Sequence, residues 1–166
     1  MYYKDNRNSL YPLPKRLPDA VALIRGDSKN SEINGTVKFY PEASGVWVVA
    51  NILGLPITAE PCKNNIFAFH IHSGGECSGN ADDPFADAGT HYDPNGCPHP
   101  YHAGDMPPLF GADGRAFLAF LTNRFTVDEI IGKTAVIHDS PDDFTTQPSG
   151  NAGAKIACGV ISRVKR

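Results

Sequence analysis

The sequence predicts an all-β fold, and three observations carry that prediction. The 166-residue chain contains 16 glycines and 14 prolines, which interrupt helices and mark turns. Seven short runs are apolar or alternate between apolar and polar residues, and each is bounded by Gly, Pro, Asn or Asp. Helical signals are nearly absent: Thr126 to Glu129 matches a capping box, but Gly132 follows too soon for more than about one turn.

The seven predicted strands are distributed along the chain from residue 21 onward. In the second strand, Val37 and Phe39 can face a core while Thr36 and Lys38 face water, because side chains alternate across a strand. The predicted strands cover residues 21–24, 36–40, 46–52, 66–71, 116–121, 134–138 and 159–163.

The chain is expected to form one domain behind a polar arm. Residues 1–18 are charged and interrupted by prolines, which predicts an N-terminal extension, and residues 19–166 form the β domain. Residues 73–113 and 139–154 have no periodicity. Loops of that length inside a compact domain normally have a functional reason, so we expect two long functional loops.

Composition and charge exclude several classes of function. The formal net charge of −3 and the pI near 6.0 give no indication of the clustered basic surface that nucleic-acid binding requires. Nothing approaches the run of about 20 apolar residues that a membrane helix requires. The first 20 residues have no apolar segment typical of a secretory signal, so a cytoplasmic location is expected, with a secreted form whose signal has been removed left open.

All six histidines lie between His70 and His138, a distribution that indicates metal binding. His70 and His72 project from the same face of a strand, because side chains alternate with a period of two. One long loop then offers three imidazoles and a carboxylate, a donor set that suits four-coordinate zinc. These four residues are His91, His99, His102 and Asp105.

The residue types alone leave alternatives open. A lone histidine such as His138, at the end of a strand, is more often a hydrogen-bonded structural residue than a ligand. An all-nitrogen set would suit copper in tetragonal geometry, with His70, His72, His91 and His138 as the candidates. Either a one-metal or a two-metal β protein is compatible with this pattern.

Several motifs, in order, resemble those of the Cu/Zn superoxide dismutase family. The resemblance runs from about residue 20 to residue 163 and implies an eight-stranded Greek-key β-barrel or sandwich of the immunoglobulin-like kind. The motifs are Phe69-His70-Ile71-His72, Gly89-Thr90-His91-Tyr92-Asp93-Pro94, His102-Ala103-Gly104-Asp105, Val136-Ile137-His138, Asp142-Asp143 and the segment from Gly150 to Ile161.

The resemblance also implies two cofactors and their ligands. Copper falls on His70, His72, His91 and His138, and zinc falls on His91, His99, His102 and Asp105, so that His91 bridges both metals. Asp142 would accept hydrogen bonds from His70 and His99, and Cys77 would form a disulfide with Cys158. The state of Cys62 and Cys97, either unpaired thiols or a second disulfide, stays open.

The activity implied is disproportionation of superoxide to dioxygen and hydrogen peroxide. His91 would act as a general acid, and Lys155 would guide the anion. Lysine stands where the family usually has arginine, which keeps the charge but loses the planar fork of donors. The loop at residues 143–150 is shorter and less charged than in the better-known eukaryotic members, and Ala68 replaces a common glycine.

Two other functions compete with this hypothesis. One is a catalytically weak metal-binding protein of the same fold. The other is a structural zinc domain in which His70, His72 and His138 are core residues. A monomer, a homodimer and a copper-loading partner are all compatible with the sequence, which does not decide among them.

Overall fold

The computed structural model describes residues 14–60 and 65–165, which form nine β-strands and one short α-helix. Helix α1 (Val127–Ile130) is the only α-helix among these residues, and a 3₁₀ turn covers Ala86–Ala88. The strands are β1 (Ala20–Gly26), β2 (Asn34–Glu42), β3 (Gly45–Leu53), β4 (Ile66–Phe67), β5 (Phe69–His72), β6 (Leu109–Phe110), β7 (Arg115–Thr122), β8 (Thr134–His138) and β9 (Lys155–Arg163).

Seven of the strands form one antiparallel sheet in the order β5-β8-β9-β1-β2-β3-β7, and β4 pairs with β6 in a second. The chain leaves β3 near one end of the large sheet and returns as β5 at the opposite edge. It then crosses back from β7 to β8. Connections of this kind between non-neighbouring antiparallel strands are typical of Greek-key topology. Nine strands and one short helix among the described residues confirm the predicted all-β class.

The expected strand at residues 66–71 is divided in two at Ala68. The Ala68 N–H donates to the Ser140 carbonyl at 2.8 Å, and the Ala68 carbonyl accepts from the His138 N–H at 2.9 Å. Ile66 and Phe67 pair instead with β6, while β5 pairs with β8. Counting residues 66–72 as one bent strand gives the eight strands that the family resemblance implies.

The core follows the two-residue period of the strands. Val37 and Phe39 are fully buried, as predicted, while Thr36 and Lys38 are only half-buried. Strand β9 begins at Lys155, four residues earlier than the predicted run at 159–163, so Lys155 lies on the sheet. The remaining fully buried core side chains include Ile24, Ile52, Ile71, Ile137 and Ile161.

Strands β5 and β8 are buried on both faces. One face belongs to the main core, and the two long loops cover the other. Val136 and Cys158, on the covered face, pack against Phe85 and Ala88 of the first loop. This second apolar cluster holds the loop against the sheet, because removing apolar side chains from water stabilises the contact.

The capping box is confirmed at the start of α1. The Thr126 N–H donates to Glu129 Oε2 at 2.6 Å, and Thr126 Oγ1 accepts from the Glu129 N–H at 3.4 Å. The helix ends after one turn, as Gly132 predicts. Within the described parts of the chain, no helix is long and apolar enough to cross a membrane.

Most of the predicted N-terminal extension, residues 1–13, lies outside the described residues. Near the end of the extension, Arg16 Nη1 donates to Asp19 Oδ1 at 2.8 Å, and the guanidinium lies 5.9 Å from the centre of the Tyr40 ring. Arg16 therefore contacts β2. The division of the chain at residue 18 stays a prediction.

Cys77 and Cys158 form the disulfide that the family resemblance implies, across a sequence separation of 81 residues. The bond ties the first long loop to β9. Cys97 is a free, half-buried thiol, whereas Cys62 lies outside the described residues.

Replacing both disulfide cysteines by alanine should lower the free energy of unfolding by about 2–5 kcal/mol, because the bond restricts the unfolded chain over a long loop. Urea unfolding of the metal-free protein measures this change. Cys97→Ala is the matched control, since it removes a free thiol, and it should change stability by less than about 1 kcal/mol. Equal stabilities of the double variant and the control would contradict a stabilising role for the bond.

Candidate metal centre

Two groups of four potential metal ligands lie side by side and share His91. Within each group the ligand atoms lie within 4.8 Å of one another, and every member is buried. The first group is His70, His72, His91 and His138, and the second is His91, His99, His102 and Asp105. The structure therefore brings together all of the residues that the sequence analysis assigns to metals.

In the first group, two ring nitrogens face each other without a proton between them. His72 Nδ1 lies 2.8 Å from the Gly89 carbonyl, and His138 Nδ1 lies 3.3 Å from the Gly153 carbonyl. A carbonyl only accepts, so each Nδ1 carries the proton of a neutral ring and each Nε2 presents a lone pair. The two Nε2 atoms are 3.2 Å apart. Two lone pairs at that distance repel each other, whereas a cation bound by both removes the repulsion.

The histidines of this group are held in the neutral form that metals bind. Burial disfavours the charged ring, and this lowers the pKa of His138 to about 3 and that of His72 well below its ordinary value. Burial also lowers the pKa of His70, although the hydrogen bond to Asp142 opposes this shift. Neutral imidazole is the form that coordinates copper and zinc.

The second group converges on the Asp105 carboxylate. Asp105 Oδ1 lies 2.7 Å from His91 Nδ1. Asp105 Oδ2 lies 3.1 Å from His99 Nδ1 and 3.2 Å from His102 Nδ1, although neither pair makes a hydrogen bond. Three imidazoles and one carboxylate, closed off from solvent, form a donor set that suits tetrahedral zinc.

The Asp142 carboxylate connects the two groups through hydrogen bonds to one histidine of each. Its Oδ2 accepts from His70 Nε2 at 2.9 Å, and its Oδ1 accepts from His99 Nε2 at 2.8 Å. Burial disfavours the charge of Asp142, but hydrogen bonds from His70, His99 and the Phe144 N–H hold its pKa at about 2. By accepting these hydrogen bonds, the carboxylate keeps the ring proton of each histidine on the outer nitrogen, Nε2, and Nδ1 of each ring presents an inward-facing lone pair.

Several buried ring nitrogens have no hydrogen-bond partner among the described residues. A buried polar atom without a partner is costly, so native structures rarely leave one unsatisfied. Thr134 Oγ1 is also without a partner, but the four ring nitrogens all lie in the two ligand groups, as expected if metal ions are their partners. The atoms are His70 Nδ1, His91 Nε2, His99 Nδ1 and His102 Nδ1.

A cavity of about 400 Å³ opens over the first group, with His72, His91 and His138 in its wall. Lys155 lines the same cavity, opposite His138 in the pairing of β8 with β9. The Lys155 ammonium makes an ion pair with Asp83 Oδ2. Asp83 lies in the first long loop, and nothing in the sequence pattern singles it out.

Sequence analysis also missed Arg124, which follows β7. Its Nη1 donates to three main-chain carbonyls of the loop that carries His102 and Asp105, and thereby positions these ligands from outside the site. The three distances are 3.2 Å to Pro100, 3.3 Å to His102 and 3.0 Å to Asp105. A single arginine in a polar turn carries no local signal for this role.

Comparison with known proteins identifies the family. The model described as copper/zinc superoxide dismutase matches residues 33–161. A copper–zinc superoxide dismutase of Aquifex aeolicus is 36% identical over an alignment of 145 residues, and the match covers 78% of this chain and 80% of the relative. A copper–zinc superoxide dismutase of Schizosaccharomyces pombe is 35% identical over an alignment of 160 residues, and the match covers 86% of this chain and 96% of the relative.

A solved structure agrees with these relatives. The Cu/Zn superoxide dismutase from Brucella abortus superimposes with a TM-score of 0.69 at 26% identity, and the match covers 85% of this chain and 98% of that chain. The fold of this chain is therefore similar to that of a solved copper/zinc superoxide dismutase. On the family match and these relatives, the chain belongs to the copper/zinc superoxide dismutase family.

Proposed function

We propose that this chain disproportionates superoxide to dioxygen and hydrogen peroxide, the activity after which its family is named. The observation that carries the proposal is the pair of unprotonated nitrogens, His72 Nε2 and His138 Nε2, 3.2 Å apart at the wall of an open cavity. In this assignment copper is held by His70, His72, His91 and His138, and zinc is held by His91, His99, His102 and Asp105.

The protein's own part in the reaction begins with orientation. Copper, when bound, would supply the one-electron redox chemistry, and zinc would have a structural role in its closed site. The carbonyls of Gly89 and Gly153 fix the rings of His72 and His138, while Asp142 fixes those of His70 and His99. Ligands held by such outer contacts keep their geometry when the charge of the site changes.

His91 is the residue best placed to move a proton. Its Nδ1 contacts Asp105 on the zinc side, and its Nε2 has no protein partner among the described residues. Because His91 lines the cavity, a proton held at Nε2 can be released to a reduced oxygen species there. Asp105 keeps the ring in place during that transfer.

Lys155 supplies positive charge to the cavity in which the substrate must arrive. Superoxide is a small anion, and a cation at the rim raises its local concentration. Lysine does this as a point charge, without the two-point hydrogen bonding that arginine offers. Lys155 is therefore proposed as the anion guide, with His91 as the second catalytic residue.

The short second loop reaches the ligands because Gly150 lets its backbone pass close to them. Gly150 has φ +67°, and a Cβ at this position would lie 2.0 Å from Asp142 Oδ1 and 2.6 Å from His99 Nε2. Exposed Asp143 stabilises the start of the loop by accepting hydrogen bonds from the N–H groups of Thr145 and Thr146, both at 2.8 Å.

A second candidate function is a catalytically weak protein of the same fold that binds both metals. The ion pair between Lys155 and Asp83 favours this candidate, because a paired ammonium attracts an anion less strongly. A zinc-only domain fits less well, since it leaves the facing lone pairs of His72 and His138 without a cation. A cytoplasmic location, a copper-loading partner and the choice between monomer and homodimer stay predictions.

The protein reconstituted with copper and zinc should disproportionate superoxide far faster than the spontaneous reaction, in proportion to bound copper. The measurement is the rate per copper by stopped-flow absorbance, together with the content of both metals. Removal of copper should abolish the excess rate, while zinc stays bound. Full copper occupancy with no excess rate would establish the metal-binding candidate in place of the enzyme.

Gly150→Ala should weaken zinc and copper binding by roughly 10–100-fold, because the added Cβ displaces the carboxylate that orients His70 and His99. Competition with a chelator measures both affinities. Gly132→Ala is the matched control, since Gly132 has φ +80° with no atom within 4 Å of the added Cβ. In both variants an alanine must adopt the left-handed backbone conformation, which costs about 1 kcal/mol, so the variants differ only in what the added Cβ contacts. Equal metal affinities in the two variants would therefore contradict the displacement of Asp142.

A further inference from the structure

The cavity over the histidines has an uneven distribution of charge. Lys155 is the only lysine or arginine among the described residues that line it, whereas Asp83 and Asp93 contribute two carboxylates. Any anion that enters therefore depends on Lys155 and on the metal site for attraction. Whatever restrains Lys155 controls the supply of substrate.

Asp83 restrains Lys155 directly. The Lys155 ammonium contacts Asp83 Oδ2, although the two residues are 72 positions apart in the chain. The Lys155 side chain is only 15% exposed, while that of Asp83 is 38% exposed. The ammonium therefore lies inside the cavity wall with one carboxylate already on it, and an entering anion must compete with that carboxylate.

The position of Asp83 is itself held from two sides. Asp83 Oδ1 accepts from the Phe85 N–H at 3.0 Å, and the Asp83 N–H donates to Asn80 Oδ1 at 3.0 Å. Phe85 belongs to the apolar cluster that packs the first loop on β8 and β9, next to the disulfide. One oxygen of Asp83 is thus used by the loop, and the other is left facing Lys155.

We propose that Asp83 is a positioning residue that holds Lys155 in the cavity wall and, by partly neutralising it, sets the affinity of the cavity for small anions. This inference rests on the proposed function, in which Lys155 guides the substrate. The Asp83 carboxylate keeps the flexible Lys155 side chain close to the site, but it also weakens the attraction of the ammonium for an entering anion. Asp83 belongs to neither ligand group, so it tunes anion capture through Lys155.

The test measures azide binding to copper- and zinc-loaded protein, followed by the visible spectrum of the copper. Asp83→Asn should bind azide about three- to tenfold more tightly at low ionic strength, a gain that shrinks at high salt as charges are screened. Asp82→Asn is the matched control, because it removes the same charge from an exposed neighbour that does not line the cavity. Its azide affinity should change by less than about twofold.

A double-mutant cycle shows whether Asp83 acts through Lys155. In the Lys155→Ala background, Asp83→Asn should change azide affinity by much less than in the native background. Equal effects in both backgrounds would mean that Asp83 is an independent charge, and they would overturn the proposal. An unchanged or weaker azide affinity in Asp83→Asn alone would overturn it as well.

Metal content and the rate of superoxide disproportionation separate this inference from the function on which it rests. Copper that loads fully, with a normal rate but no response of azide affinity to Asp83→Asn, overturns the role of Asp83 alone. Failure of the native protein to bind copper overturns the ligand assignment and the proposal with it. Tighter azide binding in Asp83→Asn, with coupling to Lys155 and unchanged copper content, supports the role of Asp83, and an excess rate in the native protein supports the function on which it rests.

Discussion

The two-residue period of β5 is the constraint on which the rest of the site depends. Phe69 and Ile71 project into the main core, so His70 and His72 must project from the opposite face. Neighbouring β8 adds His138 to the same face. A register slip of one residue would exchange ligands for core side chains, and burial of the apolar face opposes it. The packing that stabilises the sheet therefore also positions three of the seven candidate metal ligands.

The two long loops cover the face of β5 and β8 that carries the histidines and so enclose the candidate metal centre. They cover the histidines, and the resulting loss of water holds the rings in their neutral form. Asp142 accepts hydrogen bonds from a candidate ligand on a strand, His70, and from one in a loop, His99, and so holds the two rings in a fixed relative orientation. Arg124 secures the loop from outside through its carbonyls. The same contacts that order the loops orient the nitrogens toward the metals.

The ion pair of Lys155 with Asp83 has two opposite effects on anion binding: it holds the ammonium near the histidines, and it weakens the attraction of the ammonium for an anion. A lysine side chain is flexible, so a free ammonium at the rim would spend much of its time away from the histidines. The ion pair with Asp83 keeps Lys155 within the cavity wall, and it offsets part of the positive charge that an anion would experience. Among the described residues that line the cavity, the first long loop supplies both carboxylates, Asp83 and Asp93, whereas the short second loop supplies no charged side chain.

The sequence by itself determined the all-β class, most strand positions and the identity of every candidate ligand, because the hydrophobic period and the histidine spacing are local properties. The division of a strand at Ala68 and the start of β9 at Lys155 were decided only in the tertiary structure. There the hydrogen-bond partners come from distant strands and loops. The contacts of Asp83 and Arg124 likewise depend on how the long loops return to the sheet. No local pattern encodes that path, because it is the packing of the whole chain that selects it.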